Sequence, residues 1–200
     1  MELADWAEDT ARTILQVPLP RRWAHTQGVA AQALTLKPVL GEDTDLLAAA
    51  AWLHDIGYAP DLVDTGFHPL DGARYLSDTS QADELLCRLV AHHSCAVIEA
   101  AQRGLDRTLL REFAPVGGEL ADALTYCDMT TGPDGQHMSV GQRLDEIRSR
   151  YAPDHPVSRT LAYTAPELTR AVRRVHRRLA RASSVRSAPA VRPQVLAAAI

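Results

Sequence analysis

The sequence predicts an all-α protein, and three observations support this prediction. Alanine and leucine are abundant, while aromatic residues make up only 5% of the 200 residues, a composition that favours helix over sheet. Apolar residues recur at helical spacing in one segment after another, and no alternating pattern typical of strands extends beyond a few residues. A chain of this length is expected to form one domain with a substantial core. We therefore expect a single-domain helical bundle of roughly seven to nine helices.

The first half of the chain is predicted to form four helices. Prolines follow the first two helices and stop them. Asp43 or Thr44 can cap the third helix, which carries His54. Pro69 suits the first turn of the fourth helix. The predicted limits are residues 2–16 for the first helix, 21–36 for the second, Ile56-Gly57 as the end of the third and Leu76 as the end of the fourth, after a loop over 58–67.

The second half is predicted to contain further helices and then a tail. Residues 139–142, Ser-Val-Gly-Gln, form a capping box that opens a helix, and residues 164–167, Thr-Ala-Pro-Glu, form another. Residues 182–200 contain Ser, Pro and Ala and are expected to be a flexible tail, which leaves 1–181 as the domain. The other helices are expected at residues 81–93, at 94–112 as one or two short helices, and at 118–129, before a loop at 131–135.

Charge is unevenly distributed along the chain, whose formal net charge is −4. Residues 159–200 hold nine arginines and a single acidic residue, Glu167. A basic segment of this kind can mark a nucleic-acid contact, but here arginine and aromatic residues do not alternate as in stacking surfaces. We therefore expect a solvated helix face and a basic tail against the chain's own acidic domain, without a nucleic-acid partner.

The sequence also bears on location and assembly. No apolar run approaches the ~20 residues that a membrane span needs, so no membrane partner is expected. Cys87, Cys95 and Cys127 are odd in number and lack Cys-x-x-Cys spacing, which disfavours a disulfide framework or a zinc ribbon. The first nine residues are acidic and do not resemble a signal peptide. A cytoplasmic protein is expected, and whether it forms a homo-oligomer stays open.

Ionisable side chains lie on or beside the apolar stripes of four predicted helices. A lone histidine on such a face is more often a hydrogen-bonded core residue than a ligand. A buried carboxylate, however, is costly unless it is paired or bound to metal. Several such positions on separate helices are better explained by a shared cation, since imidazoles and carboxylates are the usual ligands of first-row metals. The set comprises His25, His54, His92, His93 and Asp128, with Asp55 beside His54.

The order of these residues resembles the HD superfamily of phosphohydrolases. It runs from His25 through His54-Asp55 to Asp128, with Trp-Leu-His-Asp-Ile-Gly at 52–57 in the centre. The resemblance covers residues 21–130 and implies an all-α fold of the HD-domain type. It also implies a first metal, a transition ion or magnesium, held by His25, His54, Asp55 and Asp128.

Further histidines resemble those of family members with two metals. His68 stands at a predicted helix start, and His92 and His93 follow Val-Ala. The resemblance implies a second ion held by His68 and one of the adjacent histidines, with Asp55 bridging both ions. His92 is slightly preferred by analogy, although the register is ambiguous by one residue; the other histidine would support a ligand or contact phosphate. The ions implied are iron, manganese, zinc, cobalt or nickel, with magnesium also possible.

By this resemblance the chain is expected to hydrolyse a phosphate ester or anhydride, with a nucleotide as the expected substrate. A metal-bound water loses its proton more easily, its pKa falling from 15.7 toward about 7 in the best zinc case, and the hydroxide attacks phosphorus. Asp55 and His54 are the candidate catalytic residues, and Asp55 would orient or deprotonate the water. Arg74 and Arg22 are candidate phosphate contacts.

Two other functions stay open at this point. HD-type di-iron oxygenases use the same six-ligand plan, so ligand spacing does not separate them from hydrolases. A non-catalytic metal-binding or regulatory domain is the other alternative, although an intact ligand set argues against it. Among hydrolases, the ligands resemble those of enzymes that split diadenosine polyphosphates. Cyclic-di-GMP is less favoured, because Ser94-Cys95 stands where its phosphodiesterases carry Gly-Tyr-Pro.

Overall fold

The computed structural model of the chain describes residues 2–79 and 81–187, and within these ranges the fold is α-helical without a strand. The predicted all-α fold is confirmed. None of the described helices is both long and apolar enough to cross a membrane. The helices are α1 (Leu3–Leu15), α2 (Pro20–Leu34), α3 (Lys37–Leu40), α4 (Thr44–Leu53), α5 (His68–Ser77), α6 (Glu84–His92), α7 (Ala96–Gln102), α8 (Asp106–Glu112), α9 (Glu119–Met129), α10 (Val140–Arg150) and α11 (Pro156–Ser187).

Helix α4 lies at the centre of the bundle because it is apolar on every side. All of residues 47–51, Leu-Ala-Ala-Ala-Ala, are buried, as is Leu53. A helix with apolar residues all round is stable only when neighbours cover it, and α4 packs against α1, α2, α6 and α9. Its C-terminal end therefore delivers His54 and Asp55 into the interior, where both are buried.

The turn after α4 packs closely against the start of α5. Gly57 was expected to stop the helix, but α4 ends at Leu53 and Gly57 lies in a 3-10 turn, Ile56–Tyr58. A Cβ on Gly57 would lie 2.1 Å from the His68 carbonyl oxygen and 2.5 Å from the Gly72 nitrogen. Glycine at this position thus lets the segment with Asp55 approach the segment with His68.

The structure confirms one of the three predicted helix caps. The capping box at Ser139 is confirmed: the Gln142 N–H donates to Ser139 Oγ, and Gln142 Oε1 accepts from the Ser139 N–H. Neither Asp43 nor Thr44 caps α4 through its side chain. The Thr44 hydroxyl instead donates to the Gly41 carbonyl, because a 3-10 turn leads directly into the helix.

The third predicted start, at 164–167, is wrong because the helix begins earlier. Helix α11 starts at Pro156, and the Thr164 hydroxyl donates to the Thr160 carbonyl within the helix. Pro166 lies in the helix interior, where it lacks an N–H donor. Burial of the apolar face of α11 against the core offsets this loss; its members are Leu161, Leu168, Ala171, Val172 and Val175.

Helix α11 packs along α9, and ion pairs connect the two helices. Arg174 Nη2 lies 2.6 Å from Asp122 Oδ1, and Arg178 Nη1 lies 3.1 Å from Asp122 Oδ2. These two arginines contact the chain's own acidic residues, as expected. The helix continues to Ser187, beyond the predicted domain limit at residue 181. The rest of the predicted tail, 188–200, lies outside the described residues.

Candidate metal centre

Helix α2 brings the buried side chain of His25 into the interior. Its Nδ1 lies 2.9 Å from the Gly132 carbonyl oxygen, which can only accept a hydrogen bond. Nδ1 therefore donates this bond, and Nε2 is directed away from the backbone. That Nε2 is buried without a hydrogen-bond partner. Buried polar atoms of this kind are rare in proteins, and a metal ion would satisfy it.

The end of α4 supplies a second imidazole of the same kind and a carboxylate. His54 Nδ1 lies 2.7 Å from the Ala51 carbonyl oxygen, and its buried Nε2 also has no hydrogen-bond partner. Asp55 Oδ2 lies 3.2 Å from His54 Nε2, while Oδ1 lies 3.3 Å from His68 Nε2. The two oxygens of Asp55 thus face different histidines.

Helix α9 contributes Asp128 from its last turn. Asp128 Oδ1 lies 3.3 Å from His25 Nε2, and the Ser94 hydroxyl donates to Oδ2 at 2.5 Å. The ligand atoms of His25, His54 and Asp128 lie within 4.8 Å of one another. These three buried side chains form the first of two groups that could hold a metal ion.

The second group consists of Asp55, His68 and His93, again with ligand atoms within 4.8 Å of one another. His93 Nδ1 lies 2.7 Å from the Val90 carbonyl oxygen, so its Nε2 is directed toward the other ligands of the group. That Nε2 lies 3.2 Å from His68 Nε2. The Tyr58 ring stacks on the His68 ring with centroids 3.9 Å apart and fixes its plane.

The structure places His93 in the second group, and not His92, which the analogy slightly preferred. His92 Nε2 lies 2.9 Å from the Phe113 carbonyl oxygen, and the side chain belongs to neither group. The reason is that α6 ends at His92 and the chain then leaves helical geometry, with ψ of 150° at His93. Ser94 and Cys95 follow with φ of 49° and 64°. This break turns His93 toward Asp55 and His68.

The structure does not bring Arg74, a candidate phosphate contact in the sequence, to the cleft. Its guanidinium forms a two-pronged pair with Glu112, with Nε 2.8 Å from Oε2, and a third contact of 2.7 Å with Asp64. Two acidic partners hold it on the surface. Arg22, in contrast, lies at the candidate centre: Nη1 donates to Asp55 Oδ2 at 2.7 Å, and the guanidinium lies over the Tyr58 ring.

The charges of the site match what metal binding requires. Burial disfavours an ionised Asp55, but Arg22 and His54 outweigh burial and hold its pKa well below the usual range. Burial lowers the pKa of both His68 and His93. The carboxylate is therefore ionised and these two imidazoles neutral, which are the states that coordinate metal.

The pKa of His54 shifts in the opposite direction to that of His68 and His93. Although burial opposes protonation, Asp55 raises the pKa of His54 above its ordinary value. In the metal-free chain a proton on His54 would take the place of a cation, and metal binding has to displace it.

A cleft of about 120 Å³ opens beside the two groups. Arg22, Asp55, His68, His93 and Asp128 line it. Part of its wall comes from α10 and α11, which sequence reasoning did not connect with the site. The lining residues from these two helices include Arg143, Ile147, Arg150, Thr160 and Leu168.

Arg143 is the main residue that the sequence analysis missed. Its side chain is buried, and Nη2 lies 3.6 Å from Asp128 Oδ1. A signal was available, because Arg143 is three residues after Val140 and four before Ile147, on an apolar face. The rule that singled out the histidines applies equally to this arginine.

The comparisons with known proteins identify one family. The family model described as the HD domain matches residues 22–127. Comparison with curated proteins gave no match, and comparison with solved structures gave none either. The matched segment contains the first five ligand candidates and ends one residue before Asp128.

Proposed function

Because the chain belongs to the HD-domain family, we propose that it is a metal-dependent phosphohydrolase that cleaves a phosphate ester or anhydride, with a nucleotide as substrate. One observation carries the proposal: the two oxygens of Asp55 face two separate groups of nitrogen and oxygen ligands. Mixed imidazole and carboxylate sets of this kind suit divalent first-row metals. Such a site has the parts needed to cleave phosphorus–oxygen bonds.

We propose that His25, His54 and Asp128 hold one divalent ion, and that His68 and His93 hold a second. Asp55 is then the shared ligand, with one oxygen toward each group. Bound ions of this type lower the pKa of water and stabilise negative charge on phosphoryl oxygens. The unpaired nitrogens of His25 and His54 support the first position.

The chain's own residues then perform three tasks. Backbone carbonyls hold the Nδ1 protons of His25, His54 and His93, which keeps each Nε2 directed at the centre. Arg22 keeps Asp55 ionised and lies at the edge of the cleft, within reach of a substrate oxygen. Burial of the ligands excludes bulk water, so electrostatic interactions there are strong.

Metal analysis of the purified protein, combined with phosphate release from a panel of nucleotides, tests this proposal. We expect bound transition metal and release from at least one nucleotide. His54→Ala and Asp128→Ala should each abolish release while the helical circular dichroism signal largely survives, because each removes a ligand. His176→Ala on α11, an exposed histidine, should behave like the wild type.

Two results would contradict the proposal. Normal phosphate release by either ligand variant would refute the assignment of the site. Dependence on iron together with oxygen consumption would instead identify an oxygenase, the alternative with the same ligand plan.

A further inference from the structure

A second cavity, of about 290 Å³, adjoins the cleft at the candidate metal centre. Arg22, Arg143 and Arg150 line both cavities. The second cavity also reaches His25, a member of the first ligand group. A molecule bound at the centre could therefore extend past these arginines into the second cavity.

We propose, building on the proposed function, that Arg143 and Arg150 hold the phosphate of the substrate beside the metal centre and that the second cavity holds its flat organic ring. Nucleosides and aryl groups carry rings of this kind. The argument depends on the charge of the arginines, on the volumes of the two cavities and on the lining of the second.

Arg143 is suited to bind an anion. It is 4% exposed, and its Nε is buried without a hydrogen-bond partner. Its Nη1 donates to Glu146 Oε2 at 2.7 Å, and Arg150 Nε lies 2.9 Å from the other oxygen of the same carboxylate. Two guanidinium groups thus share Glu146, which leaves most of their N–H donors available.

Metal binding would leave the arginines beside the centre with an excess of positive charge. Arg22 and Arg143 face the carboxylates of Asp55 and Asp128, which are candidate ligands. Cations on these carboxylates would neutralise the charges that the two arginines face. A phosphate could then take over as their counter-ion, in the charge-assisted and often two-pronged geometry typical of arginine.

The volumes of the two cavities indicate which part of the substrate each one holds. Sites for small organic ligands have volumes of roughly 300–1,000 Å³. The cleft beside the ligands, about 120 Å³, is below this range and suits a phosphate alone, whereas the second cavity, about 290 Å³, is close to it. The organic part of the substrate therefore has more room in the second cavity than in the cleft.

The lining of the second cavity favours a flat ring. Its apolar part consists of Pro18, Leu19, Pro20 and Pro133, which offer rigid hydrocarbon surfaces. Its polar part is mainly arginine, and guanidinium planes stack on aromatic faces. Among the described residues that line this cavity, not one carries a carboxylate. An uncharged ring next to an anionic phosphate fits this combination.

Calorimetric titration of the manganese-loaded protein with phenylphosphonate and with methylphosphonate tests the inference. Both probes resist hydrolysis and present the same anionic head, and only the first carries a ring. We expect phenylphosphonate to bind about tenfold more tightly, as burial of an apolar group of this size would give. Arg143→Gln and Arg150→Gln should each weaken both probes by about tenfold, since each removes one charge-assisted contact.

Leu19→Gln separates the ring contact from the phosphate contact. This variant should lose the preference for phenylphosphonate and bind methylphosphonate like the wild type. Arg148→Gln and Leu34→Gln are the matched controls, because Arg148 is an exposed α10 residue paired with Asp145 and Leu34 is exposed on α2. Neither lines a cavity described above, and neither should change binding.

Equal binding of the two probes, or a ring preference that persists in Leu19→Gln, would overturn the inference. Unchanged affinity in both Arg143→Gln and Arg150→Gln would do so as well, and thermal melting shows which variants are folded. The test is independent of the proposed reaction. A ring preference without any phosphate release would refute the hydrolase and keep the binding site, whereas release with equal probe binding would refute only the site.

Discussion

At the scale of single residues, local backbone bonds orient two of the candidate ligands. His54 and His93 each place Nδ1 against the carbonyl oxygen three residues earlier in the chain. Each bond fixes the tautomer and the ring orientation within a single turn of backbone. The imidazoles are therefore arranged before any ion binds, which reduces the entropy lost on coordination.

The different positions of His92 and His93 predict different metal contents for their alanine variants. His93→Ala removes a ligand of the second group and should lower the metal content from two ions to about one. His92→Ala removes only a hydrogen bond to the Phe113 carbonyl and should keep both ions, with stability reduced by about 1 kcal/mol. Elemental analysis of the two purified variants checks this. Loss of metal from His92→Ala alone would contradict the placement of the pair.

Helical spacing marks His25, His54 and Asp128, and Asp55 is the neighbour of His54, whereas His68 was expected from the resemblance to the HD family. Helical spacing predicts which face a residue such as His25 or Asp128 occupies. It marks both His92 and His93 but does not separate them, because α6 ends at His92 and two residues with positive φ follow His93. Backbone conformation of that kind is decided by tertiary packing and carries no periodic signal.

At the scale of elements, a buried carboxylate fixes the loop that precedes His68. Asp71 on α5 is 3% exposed and accepts from the backbone N–H groups of Thr65 and Gly66 at 3.0 and 3.1 Å. It also accepts from the Thr65 hydroxyl at 2.7 Å. The helix thus holds the segment that leads into its own first residue, and so sets the position of His68.

Asp71→Ala should therefore affect both stability and the metal centre. It removes several hydrogen bonds to a carboxylate, and we expect the free energy of unfolding to fall by about 2–3 kcal/mol. Affinity for the second metal should fall too, because His68 loses its fixed position. Urea unfolding and metal titration measure the two effects. Asp78→Ala, at an exposed site just after α5, is the control and should change neither.

Arg74 has a structural role that can be tested through pH. The Arg74 guanidinium, opposed only by slight burial, lowers the pKa of Glu112 below its ordinary value near 4.5. A carboxylate with a lowered pKa stabilises the fold above its ordinary pKa, and this contribution is lost as pH falls. Arg74→Met should thus reduce stability by about 0.5–1 kcal/mol at pH 7, and by less below pH ~4.

Unfolding of Arg74→Met in urea at pH 7 and pH 3.5 measures this dependence. Phosphate release should be unchanged, because Arg74 does not line the cleft. Arg107→Met, at an exposed position on α8, controls for the loss of a surface charge. A selective loss of phosphate release in Arg74→Met would restore the phosphate role expected from the sequence.

At the scale of the whole molecule, the candidate ligands connect most of the bundle. They come from α2, the end of α4, the start of α5, the end of α6 and the last turn of α9. Nε2 of His25 and Nε2 of His54 are buried there without a hydrogen-bond partner. A bound metal would satisfy them and join elements that are distant in sequence.

Metal binding should therefore stabilise the fold as a unit. At a free metal concentration of 100 times Kd, the expected gain is about 2.7 kcal/mol, or a rise in Tm of roughly 5–10 °C for a chain of this size. Thermal melting with metal and with a chelator measures it. His54→Ala should show a much smaller difference. An identical Tm with and without metal in the wild type would favour a vestigial site.

The helical class could be predicted because it depends on periodicity and on residue type. The same two signals mark most of the ligand candidates, whereas His68 was expected from the resemblance to the HD family. The part of the cleft that α10 and α11 form could not be predicted in this way. Helix α11 begins eight residues before its predicted start, and Arg143 reaches Asp128 only because α10 folds back over α9. These contacts follow from packing between distant segments, and local sequence patterns do not encode such packing.

The position of α10 and α11 in the sequence has a consequence for how proteins of this family diverge. The candidate ligands lie between residues 25 and 128, close to the matched segment 22–127. Helices α10 and α11 follow that segment, and the apolar lining of the second cavity stands before it, at Pro18, Leu19 and Pro20, or after it, at Pro133. On the proposed function, the residues that would hold metal and those that would select the organic part of the substrate therefore occupy different stretches of the chain, which mutation can change separately. Two proteins could then keep identical ligands and still act on unrelated metabolites.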